Sequence, residues 1–448
     1  MYIAQLISSL AFCALSLSIH AHTLADAIVA ARHYDPQLAA ATSEQLASAE
    51  KRIQGRAQLL PRLTLNSRYG VDPNRNNPYQ AQGGGRGGLD ANLSLRQPLF
   101  DLPRIARYQR GHALSDEGLA ALSVTHQKLV LETAGTYLDV LAARKNLNTA
   151  QTSAASLERQ LGKVSSEAEL GISNQVDVHE ARAAYDEAVA ERMSALHTLH
   201  DRKRHFERLT GLNASGVQGR FDAIPGDHDD VVDDKAHGGI TAQTNPALQR
   251  SLLDVRIAET QLSEMRGRHL PTVELYAQQQ YRDRSQGTFF ADSNEHRSSF
   301  GVELNWEIFV GGEVQSQVRE AELKLTSQRE KAEALRLSID SEIKKHLLAV
   351  DLGKHRIQAN LQRTLSAQRK LEATRDGREL GIRSNLDILK AEKDSSDAKR
   401  GLAEAYHTYY QARLHLALEQ GCLNDRVIGV LSAALDVSDD STTTSRAG

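Results

Sequence analysis

Leu60-Pro61-Arg62-Leu63-Thr64-Leu65 returns later in the chain as Leu270-Pro271-Thr272-Val273-Glu274-Leu275, 271 − 61 = 210 residues downstream. The same offset carries Asp35-Pro36-Gln37-Leu38 onto Asn245-Pro246-Ala247-Leu248 and Leu170-Gly171-Ile172 onto Leu380-Gly381-Ile382. It also carries Asp177 onto Asp387, Ala181 onto Ala391 and Gly211 onto Gly421. A proline, a glycine and an aspartate recurring in order with a fixed spacing mean two tandem copies of one structural unit. Each Leu-Pro marks a change of period. Before it, Ala and Leu recur at helical spacing from Thr23 to Gln58 and from Thr241 to Arg268. After it the chain alternates. Leu63, Leu65, Ser67, Tyr69 and Val71 point one way, with Arg62, Thr64, Asn66, Arg68 and Gly70 the other, which is a strand.

A second strand in the first copy runs through Leu89, Ala91, Leu93 and Leu95, and a Gly/Asn-rich loop from Asn74 to Gly88 joins the two. In the second copy the alternating runs are Val273, Leu275, Ala277 and Phe300, Val302, Leu304, Trp306, Ile308, with a loop from Arg282 to Arg297. A very long helical pattern follows each hairpin, from Pro103 to Glu169 and from Glu313 to Glu379. Each would span roughly 100 Å if continuous, and helices of that length need partner helices. Leu-Gly-Ile then turns the chain, and Asn174 and Ser384 are suitable N-caps for return helices reaching Thr210 and Gln420. The organisation read from the sequence is residues 22–212 and 241–422 as repeats, a linker over 213–240 and a partly disordered C-terminal segment over 423–448.

The 448 residues include 54 Lys+Arg and 57 Asp+Glu, a net charge of −3, and that balance gives no general attraction to nucleic acid. The apolar stretch Ile3–Ile19, ending Ile19-His20-Ala21, reads as a secretory signal over residues 1–21, although its start carries no Lys or Arg. A buried N-terminal helix is the alternative. Removal of Cys13 with the signal would leave Cys422 alone and no intrachain disulfide, and Phe12 before Cys13 argues against a lipid anchor.

Four strands cannot close a membrane barrel by themselves, since single-chain barrels begin at eight, so several chains would have to share one. Runs of about ten residues suffice to cross an outer membrane when tilted. Tyr69, Tyr281, Phe289 and Phe290 stand near one end and Phe100, Trp306 and Phe309 near the other, in the manner of an aromatic girdle. A half-buried soluble sheet would alternate in the same way.

The residues Asp35-Pro36, Gln97-Pro98-Leu99-Phe100, Leu170-Gly171-Ile172 with Asp177, Ala181-Arg182-Ala183-Ala184-Tyr185-Asp186, Ile308-Phe309-Val310-Gly311-Gly312 and Leu380-Gly381-Ile382-Arg383 stand in an order and spacing that closely resemble the TolC family of outer membrane efflux proteins. The resemblance implies a mostly α fold with membrane β: a homotrimer whose four strands per chain form one 12-stranded outer membrane barrel, continued by a long periplasmic α-helical barrel. It implies an exit duct, not an enzyme and without a cofactor. Its partners would be a periplasmic adaptor and an inner membrane transporter of ABC, RND or MFS type.

The resemblance places the adaptor-docking tips at Gly171, Ile172, Gly381 and Ile382, and membrane-interface aromatics at Tyr69, Phe100, Tyr281, Trp306 and Phe309. It places the periplasmic gate at Asp177, Arg383 and Asp387, with Arg378 where the family usually has a tyrosine and Lys390 where well-studied members have a second acidic residue. The acid-then-base order of Asp387 and Lys390 suggests a direct pair. Asp177 and Asp387 also fall at the third helical position after their N-caps, where a carboxylate stabilises free backbone N–H groups, so capping alone could explain both.

Other motifs lack a supporting context. Gly83, Gly85 and Gly88 match a dinucleotide-binding spacing but sit in a hairpin loop. His197 and His200 have no ligand cluster, and Asp227–Asp234 lacks the glycine and glutamate of a calcium loop, so neither gives a metal site. The competing reading from another class is a periplasmic coiled-coil adaptor or scaffold without a pore. An adaptor would carry one helical hairpin and a separate small β module, not two copies of a β-hairpin followed by a helical hairpin.

Overall fold

The computed structural model describes residues 22–72, 86–221, 244–284 and 293–435. The expected signal, the aromatic pair Phe289 and Phe290, the acidic run of the linker and the end of the tail lie outside the described residues.

Each repeat gives helix, hairpin, long helix and return helix. The first helical stretch is broken in two, α1 (Leu24–Tyr34) and α2 (Pro36–Ala57), a correction to the single helix read from its periodicity. The reason is local: Pro36 disfavours helical backbone at the residue before it, and Asp35 is extended at φ −72°, ψ 120°. The Asp35 carboxylate then accepts the Leu38 N–H at 2.8 Å and starts the second helix. In the other copy α5 covers Pro246–Gly267. The long helices are α3 (Leu102–Glu169, 68 residues) and α6 (Glu313–Glu379, 67 residues). Asp101 caps α3 through the Arg104 N–H at 2.9 Å. Return helices are α4 (Gln175–Thr210) and α7 (Asn385–Glu419). A further helix, α8 (Asp425–Leu435), occupies part of the segment expected to be disordered.

The four strands are β1 (Arg62–Asp72), β2 (Arg86–Phe100), β3 (Thr272–Arg284) and β4 (Ser293–Asn305), antiparallel neighbours in that order. The strands extend further into both hairpins than the loops read from sequence allowed. Toward the helices β4 is shorter than its alternation suggested, because Asn305 faces Thr272, the first residue of β3. Trp306, Ile308 and Phe309 therefore lie past the last paired rung and are exposed.

Two compact units emerge. One draws on described parts of 1–38, 125–245 and 339–448. Its core joins Leu24 and Ile28 of α1, Tyr137 and Leu141 of α3, Phe206 of α4, Tyr406, Tyr409 and Tyr410 of α7, and Ile428, Leu431 and Leu435 of α8. Ala214–Gly216 forms a 3-10 turn, and Val217 and Phe221 after it are buried in the same core, so the first residues of the expected linker are packed. The other unit draws on 39–124 and 246–338 and holds the sheet with α2, α5 and the adjoining parts of α3 and α6. There α2 and α3 approach closely: a Cβ on Gly111 would stand 2.5 Å from the Lys51 carbonyl oxygen. Buried Glu264 accepts from Arg107 at 2.6 Å and Arg110 at 2.7 Å, which satisfies a carboxylate otherwise costly to bury.

Candidate functional site

Residues opposite each other on antiparallel strands share a sheet face. One row reads Leu63, Leu95, Ala277, Phe300 across the four strands, and the next toward the helices joins Gln97, Leu275 and Val302. Leu63, Leu65, Tyr69, Phe300, Val302 and Leu304 are all exposed, so this apolar face has no cover among the described residues. The opposite face is polar and cross-braced. Arg96 reaches Glu274 at 3.4 Å and Glu303 at 3.1 Å, Arg104 reaches Glu274 at 2.5 Å, and Arg282 reaches Asp90 at 2.7 Å. One bare apolar face and one charged face give this sheet the two-sided character of an outer membrane barrel wall. Of the expected interface aromatics, Tyr69, Phe100, Trp306 and Phe309 are exposed, and Tyr281 leans on His296 with ring centroids 5.1 Å apart.

In the other compact unit, the two long helices finish in the same motif. Ile172 N–H donates to Glu167 O at 2.8 Å and Gly171 N–H to Ala168 O at 3.0 Å. Ile382 N–H donates to Gly377 O at 2.8 Å and Gly381 N–H to Arg378 O at 3.0 Å. Both glycines sit in the left-handed region, at φ 75° and 73°, as this C-terminal motif requires. Leu170, Ile172, Leu380 and Ile382 stand about three-quarters exposed, two apolar knobs on each turn.

The caps are those the sequence suggested. Asn174 accepts from the backbone N–H of Val176 and Asp177, and Ser384 forms a reciprocal box with Asp387. Ser173 Oγ donates to Asp177 at 2.9 Å. The Asp387 carboxylate accepts from Ser384 N–H at 3.0 Å and Ser384 Oγ at 2.9 Å. These bonds, backbone first, hold its pKa below the usual carboxylate value, helped by the charges of Arg383 and Lys390. The direct Asp387–Lys390 pair does not form, because the capping bonds turn the carboxylate back toward Ser384. Arg378 bonds Glu167 at 3.1 Å, tying the end of α6 to the end of α3. Arg383 is exposed and crosses the Gly377 backbone; no ion pair joins it to Asp177 among the described residues.

Sequence reasoning missed the polar groups between α7 and the α3–α4 hairpin. Asn385, fully buried, accepts from Gln160 Nε2 at 2.6 Å and donates to the Asp177 carbonyl at 3.3 Å. Buried Glu392 accepts from Ser156 Oγ at 2.7 Å and is paired with Arg375, which also donates to Ser156 at 3.0 Å. Further along α7, Lys393 pairs with Glu187 at 2.8 Å, and Arg400 pairs with Glu191. The Lys393 bond lowers the Glu187 pKa, and the Glu187 bond raises that of Lys393. A signal for the buried pair was available: at the 210-residue offset Asn385 falls on Gln175 and Glu392 on Arg182, so the repeats diverge there.

The profile of the family described as outer membrane efflux protein matches residues 27–212 and 240–421. The chain belongs to the outer membrane efflux protein family. It is similar to outer membrane protein TolC of Escherichia coli, 28% identical over 424 residues that cover 90% of this chain and 83% of the relative. It is similar to the alkaline protease secretion protein AprF of Pseudomonas aeruginosa, 26% identical over 89% of this chain and 84% of that one. Among solved structures, the outer membrane protein VceC of Vibrio cholerae superposes with a TM-score of 0.75 at 16% identity, covering 89% of this chain and 96% of that one. This efflux protein therefore has the fold of the TolC-like channels and is an outer membrane exit duct. The apolar face of its sheet is the lipid face of a channel wall.

Proposed function

We propose that three copies of this efflux protein close twelve strands into one barrel and pass cargo from an inner membrane transporter through a periplasmic adaptor, without chemistry of their own. The carrying observation is the sheet: four strands with lipid-type and water-type faces and both edges, β1 and β4, unpaired among the described residues. Relatives of the chain are named for protease secretion and for efflux, which supports an export partner; its type, ABC, RND or MFS, is left open by those names.

The tips at Gly171–Ile172 and Gly381–Ile382 are the adaptor-docking points in this reading, since four exposed apolar side chains at two helix turns need a partner to cover them. Asp177, Arg378, Arg383, Asp387 and Lys390 form the gate region. Arg378 acts there through Glu167, while exposed Arg383 and Lys390 are available to a neighbouring copy. Repeats over 22–212 and 241–422, joined by the segment between them, supply the two coils that move against each other. The test is fractionation with cross-linking: the mature chain should sediment with outer membranes as a trimer. A soluble periplasmic monomer would favour the adaptor reading instead.

A further inference from the structure

The free edges of the sheet carry matching information. On β1, Arg62 is exposed and makes no ion pair among the described residues; past the end of β4, Glu307 is exposed and likewise without an ion pair. Alternation puts Arg62 on the charged face, with Arg96 and Glu303, and a continuation of β4 past Asn305 would put Glu307 there too. On the apolar face, Tyr69 is 71% and Phe300 86% exposed, each on a strand whose outer edge has no partner among the described residues.

Barrel geometry limits how these edges can meet. The row from Leu63 crosses to Leu95, Ala277 and Phe300, so closure is defined by the β1 residue of the next copy that faces Phe300. Face matching allows only every second residue; Leu63 or Leu65 would leave a stagger of at most about two and a tilt of no more than about 20°, too little for a barrel, so Ser67, Tyr69 or Val71 remain. These correspond to staggers of about four, six or eight residues per copy, hence strand tilts of roughly 35°, 47° or 55° for twelve strands at ~3.4 Å rise and ~4.8 Å spacing. Outer membrane barrels tilt by about 35–45°, which disfavours the largest stagger. With four, Tyr69 faces Ser298, Arg62 faces Asn305, and Trp306 and Glu307 have no partners on β1. With six, Arg62 faces Glu307, Leu63 faces Trp306, Leu65 faces Leu304 and Tyr69 faces Phe300. Opposite charges meet on the water face and apolar or aromatic pairs on the lipid face, the combinations that stabilise cross-strand neighbours.

We propose that β4 of one copy, lengthened through Glu307, pairs antiparallel with β1 of the next copy in the register that sets Arg62 opposite Glu307 and Tyr69 opposite Phe300. The extension explains why Trp306 and Glu307 continue past the last rung of β3: their partner strand belongs to the neighbouring copy. The inference rests on the trimeric reading and adds the register to it.

Cysteine pairs decide it. With Cys13 and Cys422 replaced by serine, S67C is combined in turn with V302C, L304C and F300C, and each full-length double variant is oxidised with copper–phenanthroline in outer membranes. The proposed register places Ser67 opposite Val302, so S67C/V302C should give covalent dimers and trimers at least tenfold faster than the other two. Fastest linkage with L304C or F300C would overturn the register and leave the trimer standing. Absence of all links in a protein that sediments as a trimer would also overturn it. Absence of all links in a monomeric protein would overturn the trimeric reading itself.

Discussion

Gln160 on α3 donates its side-chain amide to Oδ1 of Asn385, the first residue of α7, at 2.6 Å, and Asn385 is wholly buried. A buried amide between two helices has no water to turn to if its partner is lost, so each side of this bond holds the other in place. Asn385 is also bonded to the Asp177 carbonyl, so α7, α3 and the start of α4 meet at one side chain close to the two helix-ending turns.

Asn385→Ala should lower stability by about 1–3 kcal/mol, the cost of leaving Gln160 and the Asp177 carbonyl unsatisfied. It should also raise single-channel conductance by loosening α7 at the tip. Replacing both amides, Gln160→Leu with Asn385→Leu, should cost less stability than the single Ala change. Thermal unfolding and bilayer recordings on the three proteins check this.

Asp177→Ala with Arg383→Ala should increase conductance if the two side chains hold neighbouring coils together through charge-assisted bonds. The contrast is Asn174→Ala, which removes a cap and should cost about 1 kcal/mol. A fall in melting temperature without a conductance change in the double variant would assign Asp177 to capping alone.

Lys390 is exposed and free of Asp387, so its charge reaches the solvent beside the tip. Three such lysines around a trimer axis should weaken cation selectivity, and Lys390→Asp should strengthen it at low salt, where screening is least. Reversal potentials across a salt gradient give the answer. No change would place Lys390 away from the lumen.

Much of this was legible because it is local. Leu-Pro ends a helix, alternation makes a strand, and Leu-Gly-Ile ends both long helices, so period and punctuation alone located the hairpins and the helix-ending turns. Asn385 and Glu392 could not be found that way, since their importance comes from burial against α3, a tertiary fact. The break at Pro36 and the pattern Ile428, Leu431, Leu435 of α8 were readable. The first was hidden by apolar spacing that continues across the proline, the second by the polar tail beside it.

His346 and His415 stack with ring centroids 5.2 Å apart, and burial holds both below the ordinary histidine pKa of about 6.5. Lys345 adds to the depression of both. Glu342 opposes it, and Glu419 nearby is itself raised by burial and by Glu342. The unfolded chain then binds more protons than the folded one, so stability is present above about pH 6.5 and falls as pH drops from there through the folded values. Melting temperature should decline between pH 7 and 5, and His346→Gln with His415→Gln should flatten that decline.

The most direct measurement of the central claim is single-channel recording in planar bilayers of protein purified from outer membranes. A shared barrel predicts discrete, long-lived conductance steps, one per trimer, that grow when Asn385 is replaced by Ala. Protein that binds membranes yet gives no steps in either form would contradict the channel.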